Sequence, residues 1–81
     1  RFSERMESLE EVALGFNGVD RAFALQAGRE LRVFVRPDEM DDEACQRLAN
    51  QIARVLRQRQ TSSKPLRVTV VREAFFTESV G

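Results

Sequence analysis

The sequence has 81 residues, with 13 basic and 13 acidic side chains, and therefore carries no net charge at pH 7. This length is that of one small domain, residues 1–81, which buries roughly 60–65% of the surface exposed by its unfolded chain. With no histidine and only Cys45 as a thiol, the chain cannot form a structural zinc site, a histidine-activated nucleophile or an internal disulfide. Small domains without disulfides are typical of reducing compartments, so we expect a soluble, cytoplasmic domain.

The N-terminal segment carries no signal for membrane insertion or secretion. No run reaches the roughly 20 apolar residues of a membrane span, and no basic segment precedes a short apolar one. The sequence begins with Arg1 rather than Met, from which we expect a piece of a longer protein.

A first helix is predicted over about residues 3–14. Met6, Leu9 and Ala13 follow the three-to-four-residue spacing of one helical face. Ser3 is the expected N-cap, and the glycines that follow the segment are expected to end the helix.

Two strands are predicted next, over residues 19–27 and 30–36. The second alternates regularly and ends at Pro37, which cannot donate a hydrogen bond to a neighbouring strand. Gly28 lies between the strands and tolerates the positive φ of a tight turn, so we expect an antiparallel hairpin.

A second helix is predicted over residues 42–59, with Asp41 as its N-cap. Cys45 lies on its apolar face, where a buried small hydrophobic side chain is the expected role rather than a reactive thiol. A polar link over residues 61–65 leads to a third strand from Leu66 to about Glu73. Phe75 and Phe76 then predict that the C-terminal tail packs somewhere, and the sequence leaves open whether it adds a strand or docks on a helix.

The predicted order of elements is α-β-β-α-β. Crossovers between parallel strands through a helix are nearly always right-handed, so the third strand should lie parallel to the second, with both helices on one face. The expected fold is α+β, in two layers: a three-stranded mixed sheet, made of an antiparallel hairpin and a parallel crossover strand, under two helices.

The sequence offers no convincing catalytic or metal site. The acidic run over residues 38–43 lacks the spacing and the glycine of a calcium loop, and helix capping accounts for it. We therefore expect no catalytic residue, bound metal or other cofactor within these 81 residues.

The sheet face away from the helices is the candidate functional surface. The alternation of the strands predicts that it carries five residues of interest: Arg32, Phe34, Arg36, Arg67 and Thr69. Arginines interleaved with an aromatic side chain are typical of surfaces that stack nucleic-acid bases, whereas an exposed phenylalanine on a small domain is also typical of a protein interface. In a third reading, Glu30 and Glu73 on the same face simply neutralise two of the arginines as cross-strand pairs.

Three segments resemble the extreme C-terminal domain of the bacterial ribonuclease Y family. They are residues 23–37 (FALQAGRELRVFVRP), 41–44 (DDEA) and 66–73 (LRVTVVRE), in the family's order and at its intervals. The sequence departs from that family in having arginine at many lysine positions and a more aromatic tail over residues 74–77.

This resemblance implies that the chain is the non-catalytic C-terminal module of a membrane-anchored endoribonuclease that acts in mRNA decay. The parent would carry a coiled coil, a KH domain and a metal-dependent HD catalytic domain upstream, at the cytoplasmic face of the cell membrane. The HD motif needs histidines, which this chain lacks, so no catalytic residue or divalent metal transfers to it.

Two roles remain open for the module. The leading one is a protein-interaction or self-association domain that uses its open sheet face. In the alternative, the face binds RNA, with arginines on phosphates and Phe34 stacked on a base. In either role Arg29, at the turn between the two strands, would join Arg32 and Arg36 in contacting RNA or the catalytic domain.

Overall fold

The computed structural model describes residues 4–59 and 64–81, which form two helices and one three-stranded sheet. The elements are α1 (Glu4–Leu14), β1 (Val19–Leu25), β2 (Glu30–Val35), α2 (Asp42–Arg59) and β3 (Arg67–Val71). This confirms the predicted α+β order. The expected N-cap Ser3 and most of the 61–65 link lie outside the described residues.

The sheet has the order β1-β2-β3, with β2 in the centre. β1 pairs antiparallel with β2, from Leu25 opposite Glu30 to Val19 opposite Val35, and a β-bulge at Asp20 adds one residue to β1. β3 pairs parallel with β2, which places Thr69 opposite Arg32. The predicted hairpin and the predicted parallel crossover strand are therefore both confirmed.

The core lies between one face of the sheet and the two helices. Every second residue of β2 is buried there, and Leu31 and Val33 are wholly inaccessible, as is Ile52 of α2. The helices divide the sheet, since α1 packs mainly on β1 and α2 mainly on β3. Small residues, Ala13 of α1 and Ala24 of β1, are buried where helix and strand meet.

The start of α2 follows the predicted capping. The Ala44 backbone N–H donates to the Asp41 carboxylate at 2.8 Å, which satisfies one of the free amides of the first helical turn. Cys45 and Met40 are both partly buried against the core. Among residues 4–59 and 64–81, no helix is long and apolar enough to span a membrane.

The hairpin turn is longer than the sequence predicted. β1 ends at Leu25, and the Leu25 carbonyl accepts hydrogen bonds from the N–H groups of Gly28 and Arg29 at 3.0 and 3.1 Å. Gly28 has the expected positive φ of 82°, but Gln26 and Ala27 also adopt left-handed values of 54° and 57°. The left-handed conformation is energetically unfavourable for residues other than glycine. The turn propensities of Gln26 and Ala27 therefore did not predict it.

The predicted packing of the C-terminal tail is wrong. Phe75 and Phe76 are 72% and 94% exposed, and Val80 is 98% exposed. β3 itself ends at Val71, two residues before the predicted end. Beyond Arg72 and Glu73, the tail projects from the domain without a hydrogen bond to it in the described part of the chain.

Candidate functional site: the open face of the sheet

The face of the sheet opposite the helices is uncovered, and we call it the open face. Alternate residues of each strand point to it, three from each strand. They are Arg21, Phe23 and Leu25 of β1, Glu30, Arg32 and Phe34 of β2, and Arg67, Thr69 and Val71 of β3.

An aromatic and a cationic side chain pack together at one end of the open face. The guanidinium carbon of Arg21 lies 4.4 Å from the centroid of the Phe34 ring, within the range of a cation–π interaction. Phe23 meets the same ring edge-to-face, with centroids 5.9 Å apart and an interplanar angle of 76°. Phe34 is thus held by its neighbours, while Phe23 remains 44% exposed.

A second cluster joins β2 to β3. Glu30 is only 4% exposed, and its two carboxylate oxygens accept hydrogen bonds from Nε and Nη2 of Arg32, both at 3.1 Å. The hydrogen bonds from Arg32 lower the pKa of Glu30 against the opposing effect of burial, and a hydrogen bond from Thr69 and the charges of Arg32 and Arg67 lower it further. A bidentate pair of this kind fixes both side chains.

The charges of the open face are largely balanced. Nη2 of Arg21 lies 3.7 Å from the Glu73 carboxylate, and its Nε lies 3.3 Å from that of Asp20. Glu30 and Glu73 therefore each pair with an arginine, as the third reading of the sequence predicted. The partners differ in detail, because Glu30 pairs within its own strand and Glu73 reaches across to β1.

Four of the predicted site residues lie together on the open face, and the other two lie outside the strands. Arg32, Phe34, Arg67 and Thr69 occupy neighbouring positions of β2 and β3. Arg36 lies beyond the end of β2, where its guanidinium is 3.9 Å from Glu39 in the following turn. β2 ends at Val35, one residue earlier than predicted, but the Arg36 N–H still donates to the Gly18 carbonyl at 2.9 Å, so the placement of Arg36 on the face stays a prediction.

Arg29 belongs to the hairpin turn rather than to the face. Its carbonyl accepts the N–H of Arg67 at 2.8 Å, which ties the turn to the start of β3. The side chain of Arg29 is exposed and lines a small recess with Gln26 and Arg67.

Sequence reasoning missed Arg21 and Phe23. The signal was present in β1, where the small residues Ala22 and Ala24 face the core and the large ones alternate with them. Pairing the two strands residue by residue from the turn at Gly28 would have placed Phe23 beside Arg32. The bulge at Asp20 lies farther from the turn than Arg21, so it does not change the pairing of Arg21 with Phe34.

The remaining candidate groups have structural roles. Burial is the main cause of a raised pKa at Cys45, which keeps its thiol protonated and matches the predicted apolar role. In residues 4–59 and 64–81, no group of three or more cysteine or acidic side chains is arranged to hold a metal ion. The acidic run before α2 instead supplies the cap at Asp41.

Comparison with known proteins gives one consistent result. The chain is 48% identical over 77 residues to ribonuclease Y of Salinispora tropica, and 43% identical over 77 residues to that of Rubrobacter xylanophilus. Over 80 residues it is 48% identical to ribonuclease Y of Frankia alni. These alignments cover 95–99% of this chain but only 11–15% of the relatives.

No family model matches the chain, and no solved structure matches it. The resemblance to ribonuclease Y therefore rests on the whole-length sequence matches to these relatives. These matches confirm the resemblance that the sequence indicated: this chain is similar to a short segment of ribonuclease Y.

Proposed function

We propose that this chain is the non-catalytic C-terminal module of a membrane-anchored endoribonuclease of the ribonuclease Y type that acts in mRNA decay. On this proposal the metal-dependent chemistry belongs to an HD domain elsewhere in the polypeptide. The relatives are several times longer than this chain, so the module would work attached to a much larger protein.

We infer that the open face holds the module against another part of the same ribonuclease Y polypeptide, at the cytoplasmic face of the membrane. The observation that carries this is the packing of Arg21 on Phe34 beside the half-exposed Phe23. Such a face presents packed aromatic side chains beside paired charges, and a mixture of apolar and polar groups of this kind is found in protein interfaces.

The same geometry favours a protein over RNA as the occupant. A base needs a free aromatic face for stacking, but Arg21 covers Phe34. Phosphates need unpaired cations, but Arg32 is held by Glu30, and Arg21 lies near two carboxylates. Of the arginines on the open face, Arg67 remains the best placed to meet an anion.

The test is a titration of the ¹⁵N-labelled chain with the separately purified remainder of a ribonuclease Y. We expect saturable shifts at the amides of Phe23, Phe34 and Thr69. The variant Phe23→Glu should weaken binding at least tenfold, because it places a charge at the centre of the interface. Shifts confined to the helices, or no shifts at all, would contradict the proposal.

Two controls accompany the titration. Gln51→Glu adds the same charge on the exposed side of α2 and should bind like the unaltered chain. A parallel titration with a single-stranded RNA at low salt separates the two occupants. Binding of that RNA, with affinity falling steeply as salt rises, would favour the RNA alternative.

A further inference from the structure

The outer edge of β3 lies open beside α2. Among residues 4–59 and 64–81, β3 has a neighbouring strand only on its β2 side. The Arg67 N–H points towards β2, where it meets the Arg29 carbonyl. In a parallel strand alternate residues direct their N–H and C=O groups to opposite sides, so those of Val68 and Val70 point outward.

A groove runs along this edge. It has a volume of about 540 Å³ and lies between β3 and one side of α2. Its lining includes Cys45 and Ala49 from the helix, Val68 and Val70 from the strand, and Arg72 at one end. Free backbone groups beside a partly apolar groove are what an added strand requires, because the backbone supplies affinity and the groove receives alternate side chains.

The tail of the chain has the chemistry of such a strand. Phe75, Phe76 and Val80 are its large apolar residues, and each is mostly exposed. Beyond Glu73 it carries one acid, Glu78, and no basic residue, whereas Arg67 and Arg72 both line the groove, and Arg72 already lies 3.5 Å from Asp42. The charges of tail and groove are therefore complementary.

The tail cannot reach the groove of its own domain. It continues directly from the end of β3, so pairing with its own strand would need a tight turn immediately after Val71. The sequence there, Arg72-Glu73-Ala74-Phe75, contains none of the glycine, proline, asparagine or aspartate residues that form such turns. A tail from a second molecule needs no such turn to reach this edge.

We propose that two copies of this chain exchange their tails, each tail adding an antiparallel strand to the β3 edge of the other copy. A two-fold axis perpendicular to the sheet relates the copies, so each contact occurs twice. This surface is separate from the open face, and the proposal stands or fails independently of the function proposed above.

The alternation of side chains predicts which tail residues enter the groove. Arg72 points to the helix side, where its Nε donates to the carbonyls of Pro37 and Met40. Glu73 points to the open face, where it meets Arg21. If the tail continues this alternation as a strand, Phe76 faces α2 of the partner copy, near Cys45 and Ala49, and Thr77 faces away from it.

The buried area would suffice for a specific dimer. Two copies contribute two Phe76 side chains, each able to bury about 150–250 Å², and the paired backbones of two tails add the rest of a typical total of about 1,200–2,000 Å². The added backbone hydrogen bonds satisfy groups that are otherwise left to water.

Sedimentation equilibrium of the 81-residue chain and two tail variants tests the exchange. The unaltered chain should dimerise, and Phe76→Asp should weaken the dimer at least tenfold. Thr77→Asp is the matched control, with the same added charge one residue along, and should dimerise like the unaltered chain. Phe76 is 94% exposed in the single chain, so at concentrations where all three proteins are monomeric both variants should retain the unaltered melting temperature.

Three results would overturn the proposal. One is a chain that stays monomeric at several hundred micromolar. The other is a dimer that Phe76→Asp and Thr77→Asp leave equally strong. A dimer weakened by Phe23→Glu but not by Phe76→Asp would also overturn it, since it would move self-association to the open face.

Cysteine trapping tests the orientation of the tail independently, because it detects the contact itself rather than a weakened dimer. Phe76→Cys should form an intermolecular disulfide with the native Cys45 under mild oxidation, identified by mass spectrometry of the linked peptides. Thr77→Cys should give far less of the corresponding product. Equal yields from both variants would contradict the predicted orientation of the tail.

Discussion

The two outer strands of the sheet differ in whether their outward backbone groups have partners. At β1, the N–H of Ala24 donates to the Glu10 carboxylate of α1 at 2.8 Å, and the bulge at Asp20 interrupts the edge further along. At β3, the outward backbone groups face only a groove. Edge strands invite pairing with other chains unless something blocks them, so this domain closes one edge and leaves one available.

The helices anchor the two outer strands to different degrees, which gives the largest predicted effect. Ile52 of α2 is wholly buried, so we expect Ile52→Ala to lower the free energy of unfolding by about 2–5 kcal/mol. Leu9 of α1 retains some exposure, at 8%, and Leu9→Ala should cost less. Urea denaturation measures the free energy of unfolding of both variants. An equal or larger loss in Leu9→Ala would show that α2 does not anchor its strand more strongly than α1 does.

Removing the carboxylate that closes the β1 edge should have the next largest effect. Glu10→Ala leaves the Ala24 N–H to water, and we expect a loss of about 1–2 kcal/mol. Amide exchange at Ala24 should accelerate, while Glu11→Ala, at an exposed neighbouring position of α1, should change neither quantity. An unchanged exchange rate at Ala24 in Glu10→Ala would mean that Glu10 does not protect this edge.

A substitution in the turn that joins β1 to β2 should have a smaller effect, and it should increase the stability of the domain. Ala27 has a φ of 57°, so Ala27→Gly should relieve left-handed strain and stabilise the domain by about 0.5–1 kcal/mol, after the greater entropy of the unfolded chain is subtracted. Thermal unfolding measures the change.

Gly28→Ala is the opposite control for that turn. Its φ is 82°, and an added Cβ would lie 2.7 Å from Nη1 of Arg5, so this variant should destabilise. If Ala27→Gly lowered the melting temperature as well, the left-handed turn would be disproved.

The smallest effect is a pH dependence at the contact between β2 and β3. The folded domain lowers the pKa of Glu30 from its ordinary value of 4.5. Its stabilising contribution is therefore complete above that value and is lost as the pH falls through the lowered folded pKa. Arg32→Gln removes the main cause and should flatten the stability profile below pH 4.5. An identical profile in the variant would show that the Arg32 pair does not set this titration.

The sequence predicted the layout of the fold because its strongest patterns are local. The apolar spacing of α2 and the cap at Asp41 placed that helix over residues 42–59, as observed, and the alternation of β2 identified its buried face. The end of β2 was predicted one residue too late, because strand ends depend on the neighbouring strand.

Contacts between distant segments were harder to predict from the sequence. Arg21 meets Phe34 only because the hairpin register brings them together across two strands. The exposed tail was the clearest failure, since aromatic residues in a sequence indicate burial without saying in which molecule the burial occurs.

The single extra residue at Asp20 fixes how the N-terminal helix meets the sheet. Val19 and Ala22 are both buried although two exposed residues separate them, which an unbroken alternation could not achieve. Deleting Asp20 would turn Val19 outward or advance the whole preceding segment by about 3.3 Å. The segment before the hairpin should therefore tolerate substitutions at this position far better than a change in its length.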